Sequence, residues 1–211
     1  DHVNITDIDG NSYYVIRIGT QLWMKESLKT TKYNDGTAIP IATVSSQWSG
    51  LTTGACCWYD YNISNKDVYG ALYNWYTVSS GKLCPAGWKV PDNQDWLELV
   101  DYLGGKDWAS GKLKETGTIH WSDPNTGATN EKGFTALPGG ARFVEMHEFG
   151  EFHDINKTGY WWSANESYEG PNGVSDNPVY GFYYSLEHDN NILNHDTKFK
   201  AWGLSVRCMR H

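Results

Sequence analysis

Short apolar runs alternate with turn-forming residues along most of the chain, and only its middle carries a helical period. SYYVIRI at 12–18, Gly19-Thr20 and QLWM at 21–24 predict a β-hairpin closed by a glycine turn. Within KYNDGTAIP at 32–40, Asn34-Asp35-Gly36 predicts another turn, with Pro40 as a stop. In VYGALYNWYTV at 68–78, Ala71, Leu72 and Trp75 fall at helical spacing and predict a first helix. Pro91-Asp92 opens a second: Asp92 is placed to accept N–H bonds as N-cap, Asp95 holds the third position, and Gly104 supplies a left-handed stop. Between them Trp96, Leu99, Val100 and Leu103 form one apolar stripe.

Beyond that helix ASGKLKE predicts one further helical turn, and the rest reads as short strands: YWWS at 160–163, VYGFYYSL at 179–186 and WGLSVRCM at 202–209. In the last, Leu204, Val206 and Cys208 share one face and Ser205, Arg207 and Met209 the other, the period of a half-buried strand. No linker-like block or internal repeat interrupts this order. Residues 1–211 therefore read as one α+β domain, two helices on antiparallel strands joined by long loops.

Composition changes the picture in two ways. Leu, Ile, Val and Phe supply only 40 of 211 residues, so the 11 Trp and 14 Tyr must build much of the core, and their polar ends also suit a wet binding surface. A net charge of -8 leaves no clustered basic face, which argues against nucleic acid and anionic membranes as partners. No apolar run approaches the roughly 20 residues of a membrane helix. Beginning at Asp1, the sequence is compatible with an exported protein whose leader has been removed.

The four cysteines, Cys56, Cys57, Cys84 and Cys208, contain no C-x-x-C pair, and the adjacent two are poorly placed to bridge each other. A Cys84–Cys208 bridge would close a long loop, a gain of about 3 to 5 kcal/mol in the chain-entropy model. It stands against free buried thiols, since four cysteines allow three full pairings and their spacing does not choose.

DIDGNSYYVIRIGTQLWMKESLKTTKYNDGTAIP, VYGALYNWYTV, GKLCPAGWKVPDNQDW, GKLKETGTIHW, NTGATNEKGFTALPGGARF, GYWWSANES and GLSVRCMR together, in order over about residues 7 to 210, resemble the Fibrobacter succinogenes major paralogous domain. The resemblance implies a C-type lectin-like fold in the version shared with formylglycine-generating enzymes. It also implies a secreted or cell-surface protein, often an outer membrane lipoprotein in full-length form. In such a fold the Cys-Pro-x-Gly-Trp corner at 84–88 and the terminal Arg207-Cys208 would meet near the base, so that corner reads as architectural. The family supplies no catalytic residues to carry over.

For a ligand surface the most suggestive segment is 180–202. Tyr180, Phe182, Tyr184 and Leu186 can line one strand face, and Glu187 to Asn191 form a polar turn. Carbohydrate recognition needs an aromatic platform and planar amides or carboxylates. Candidate ligand residues are Trp162, Asn165, Tyr180, Tyr183, His188, Asn190, Asn191, Asn194 and His195. Of the adjacent Trp161 and Trp162, only one can readily face a ligand. Lectin-like domains also present variable residues near their C-terminal strands, some diversified by retroelements. The expected function is thus a non-enzymatic exported binding domain for a glycan or a surface protein. A structural module without a specific ligand is the alternative, and a copper-thiol oxidase of the formylglycine-generating type a remote one.

Other chemistry is thin. EMHEFGEFHD at 145–154 gathers Glu145, His147, Glu148, Glu151, His153 and Asp154, but its histidines are six apart, not the four of a zinc helix, so an exposed acidic loop is expected and no metal site. EGPNG at 169–173 is only superficially like a calcium-lectin sugar motif, and structural calcium is not indicated. No G-x-S-x-G elbow is present. The sequence indicates no cofactor and no oligomeric state.

Overall fold

A computed structural model describes residues 3–145, 148–170, 173–174 and 176–211. The N-terminal hairpin forms as expected: β1 (Asn4–Thr6), β2 (Ser12–Ile18) and β3 (Gln21–Met24) make a sheet that β13 (Met209–Arg210) completes beside β3. Gly19 sits in the turn at φ +61 with the Tyr102 ring 3.0 Å from where a Cβ would stand, so both conformation and space call for glycine. Before β2, Asp7 accepts hydrogen bonds from the Asp9 and Asn11 amides and the Tyr13 hydroxyl, pinning the loop onto the hairpin. The turn at Asn34-Asp35-Gly36 also forms, closed by Gly36 N–H donating to Tyr33 O and Tyr33 N–H to Thr37 O.

The helix expected over 68–78 does not form. The chain instead makes a single turn α1 (Ser45–Trp48), a short strand β4 (Cys56–Cys57), helix α2 (Ile63–Tyr69), strand β5 (Leu72–Tyr73) and a single turn α3 (Trp75–Val78). Gly70 ends α2 at φ +85, where a Cβ would meet Leu28 O at 2.8 Å. Asn74 then caps α3, its Oδ1 accepting from the Thr77 and Ala55 amides. Ala71, Leu72 and Tyr73 are buried because extended backbone runs through the core, and that burial mimics a helical period.

Helix α4 (Asn93–Tyr102) starts as its sequence dictates. Asp92 and Asp95 make a reciprocal capping box at 2.8 and 3.0 Å, and Gly104 and Gly105 turn the chain at φ +94 and +99. It leads into α5 (Lys106–Leu113), a longer helix than the one turn expected. The stripe Trp96, Leu99, Val100 and Leu103 packs against Trp23, Phe134, Trp161 and Met209.

The larger sheet has the order β12-β11-β8-β6-β7, built from β6 (Gly139–Glu145), β7 (Glu148–Ile155), β8 (Thr158–Ser167), β11 (Tyr180–Glu187) and β12 (Asn194–Phe199). A small ribbon, β9 (Glu169–Gly170) with β10 (Gly173–Val174), extends the loop between β8 and β11. The stretch expected as an acidic loop forms the β6–β7 hairpin instead: Arg142 and Phe152 pair across it, the buried Arg142 lying over Trp48 and the half-buried Phe152 packing on Tyr59.

The terminal segment also differs from expectation. Gly203, Leu204 and Ser205 bridge singly to Arg142, Tyr73 and Trp161, and only Met209–Arg210 joins a strand ladder. Residues 202–209 are buried on both faces because the segment threads between the two sheets. Cys84 and Cys208 form a disulfide across a sequence separation of 124. Around it Lys89 and Met209 exchange backbone hydrogen bonds, each 2.9 Å, and Arg210 lies over Trp88, so corner and terminal segment meet as expected. The whole is a mixed α+β arrangement of helices with curled antiparallel and mixed sheets.

Candidate ligand-binding site

The β11–β12 hairpin places Tyr184 opposite His195, and the alternation of strand side chains puts Phe182 on the same face. The His195 imidazole stacks on Tyr184 at 4.5 Å and on Phe182 at 5.0 Å, while Tyr184 stacks on Trp96 of α4 at 4.7 Å. Four rings thus run from core to solvent. Trp96 and Tyr184 are buried, Phe182 is half-buried and His195 is exposed. Partial burial lowers the His195 pKa from its usual 6.5 against the pull of Asp196, so the ring is neutral near pH 7.

A groove of about 400 Å³ flanks this ridge on each side. One lies between α4 and the hairpin, lined by Leu97, Lys106, Tyr184, Ile192, Asn194 and His195. The other is lined by Ser167, Glu169, Phe182, His195, Asp196 and Thr197. At the far end of the hairpin a more apolar cavity of about 510 Å³ lies among Leu51, Tyr76, Val144, Val179, Phe199 and Lys200.

A buried lysine fixes the hairpin turn. Lys114 Nζ donates to the carbonyls of Thr126, Glu187 and Asn190 at 2.8 to 2.9 Å, using all three of its protons. Glu187 accepts from both Asn190 Nδ2 and Asn194 Nδ2, and Asn190 Oδ1 accepts from the Ile192 amide. Asn191 is wedged over Gly127, where a Cβ would meet its Oδ1 at 2.1 Å. His188 touches Asp123 O through Nδ1 and donates its amide to Lys157 O.

The structure therefore sorts the expected ligand residues into three groups. Trp162, Tyr180 and Tyr183 are buried, correcting their placement on an open face: Trp162 Nε1 donates to Tyr73 O, Tyr180 packs on Phe199, and Tyr183 leans on Tyr160. Trp161 is buried as well, because both faces of β8 are covered. His188, Asn190 and Asn191 build the turn. Asn194, His195 and Asn165 reach the surface, although Asn165 Oδ1 already accepts from the Asn93 amide at the start of α4. Sequence reasoning missed Lys106, Glu169 and Asp196, which only the folded hairpin brings beside the ridge; Phe182 and Tyr184 were signalled by their period-2 spacing.

Of the acidic stretch, His147 lies outside the described residues, as do Pro171 and Asn172 of EGPNG. His153 stacks on Phe143, and Asp154 accepts the Tyr160 hydroxyl. Among the described residues no group of three His, Cys, Asp or Glu side chains is arranged to hold a metal ion. Cys56 and Cys57 are free and buried, and burial pushes their thiols up to about 12 and about 11. Cys57 rises despite the opposing charge and hydrogen bond of Arg142.

These features define an α+β protein stapled by a disulfide and carrying an aromatic ridge between two polar grooves. Residues 16–210 match the family model of the Fibrobacter succinogenes major domain, and the chain belongs to that family. No curated protein and no solved structure matches it. The disulfide is chemistry of an extracytoplasmic compartment, and among the described residues no helix is long and apolar enough to cross a membrane.

Proposed function

We propose that this is a non-enzymatic, exported binding domain with a C-type lectin-like arrangement, which reads a glycan at the Phe182–His195 ridge. The observation that carries this reading is the exposed ring stack with a carboxylate-bearing groove on one side and an amide- and ammonium-bearing groove on the other. A sugar offers C–H faces to rings and hydroxyl pairs to such planar polar groups. Full-length forms are held at the cell surface by a lipid anchor in this reading. The absence of a thiolate-favouring environment at Cys56 and Cys57 weighs against oxidase chemistry.

A glycan array and surface-extract pull-down of the native protein against Phe182→Ala and His195→Ala test it. Binding by the native protein alone supports the reading, and equal binding by all three excludes the ridge. The second reading, a structural module, is favoured by the commitment of His188, Asn190 and Asn191 to the turn itself. It expects no ligand for any of the three proteins.

A further inference from the structure

Arg207 is 1% exposed, and its guanidinium lies over the Phe134 ring at 4.0 Å and near Trp161 at 5.7 Å. Its Nη1 donates to Phe134 O, while Nε has no partner. The carboxylate whose charge it feels is Glu26, and one oxygen of Glu26 is occupied by the Tyr14 amide at 2.9 Å. A buried cation without a contacting counter-charge is costly, and such sites are resolved by a partner or an ion.

Arg207 also lines a cavity of about 100 Å³ together with Lys25, Glu26, Ser27 and Thr135. Ser27 Oγ accepts from Trp161 Nε1, which leaves its own O–H to donate into the space. The lining thus carries two basic side chains and one hydroxyl against a single carboxylate. A space of about 100 Å³ holds a small polyatomic ion with the waters around it, and it is the smallest of the cavities described above.

We propose that the Arg207 cavity is a binding site for one small free oxyanion, held by Arg207, Lys25 and Ser27. The ion would tie together three distant segments, the turn after β3, the loop at 134–137 and the terminal segment. Glu26 sets a limit on affinity by opposing the anion, and this distinguishes a ligand site from a merely structural arginine.

Sodium phosphate titrated at low ionic strength, read by calorimetry and by thermal shift with sodium chloride as the ionic-strength control, is the test. Saturable binding of one phosphate per chain at millimolar concentration is expected. Lys25→Met should weaken it by about fivefold or more, as expected for loss of a charge-assisted contact. Glu26→Gln, which keeps an acceptor for the Tyr14 amide, should tighten it. Both positions are half-exposed, so the variants fold even where Arg207→Met does not. No saturable phosphate response, or an affinity unchanged by both variants, overturns the proposal and leaves a cavity filled by water.

Discussion

His195 lies face to face with Tyr184 across the β11–β12 ladder, 4.5 Å between ring centroids, and only His195 of the two is open to solvent. The pair divides the stack into a buried supporting half and an exposed half that would meet the ligand in the proposed reading. Tyr184→Ala should cost about 3 to 5 kcal/mol in denaturant unfolding, because it empties a site against Trp96. His195→Ala should cost about 1 kcal/mol or less while removing ligand binding. Because burial lowers the His195 pKa below its usual 6.5, the neutral ring predominates above pH 7, and binding measured from pH 7 to 8 should be flat.

Lys114→Met should destabilise the protein by about 2 to 4 kcal/mol, since three half-buried carbonyls lose their donor. Urea unfolding measures this. Because the ammonium already supplies the positive charge at the turn, chelator should leave the melting temperature of the native protein unchanged.

Asp9 gives a pH signature. Burial pushes its carboxyl up, but hydrogen bonds from the Thr31 amide and hydroxyl and the nearby Lys32 charge outweigh that and hold it at about 2, below the usual 3.8. The unfolded chain then binds more protons than the native one between these values, so stability is present above pH 4 and is lost as pH falls toward 2. Asp9→Asn should flatten this acid limb in melts run from pH 5 to pH 2.

Thiol counting checks the cysteine assignment. The native protein should react with no Ellman's reagent on the minute scale, because both free thiols are buried and strongly protonated. Denaturant without reductant should expose Cys56 and Cys57 only, and reductant should add Cys84 and Cys208.

What could be read in advance followed from how local its cause was. Helix α4 was legible to the residue at its N-terminus because a capping box and an apolar stripe are properties of neighbours. The false helix at 68–78 arose because burial on all sides imitates a helical period, and Gly70 next to Leu28 is a constraint that only the folded chain reveals. Likewise the terminal segment showed a clean alternation, yet both of its faces are buried, since its neighbours come from residues 73, 142 and 161. At the candidate site the shared face of Phe182 and Tyr184 was visible. Their union with His195 depends on a turn held by Lys114, some 70 residues earlier in the chain.

The Cys84–Cys208 bond also sets how the molecule responds to pulling. Every strand of the large sheet, helices α4 and α5 and the aromatic ridge lie between the two sulfurs along the chain. A stretch of 124 residues is withheld from any load applied through the ends, about 400 Å of extended contour at roughly 3.4 Å per residue. Tension applied through the ends would unravel about the first two fifths of the chain, up to Cys84, while the ridge stays inside a covalent ring of fixed length. Were the ridge to bind as proposed, its grip under load would not depend on the part of the fold outside that ring.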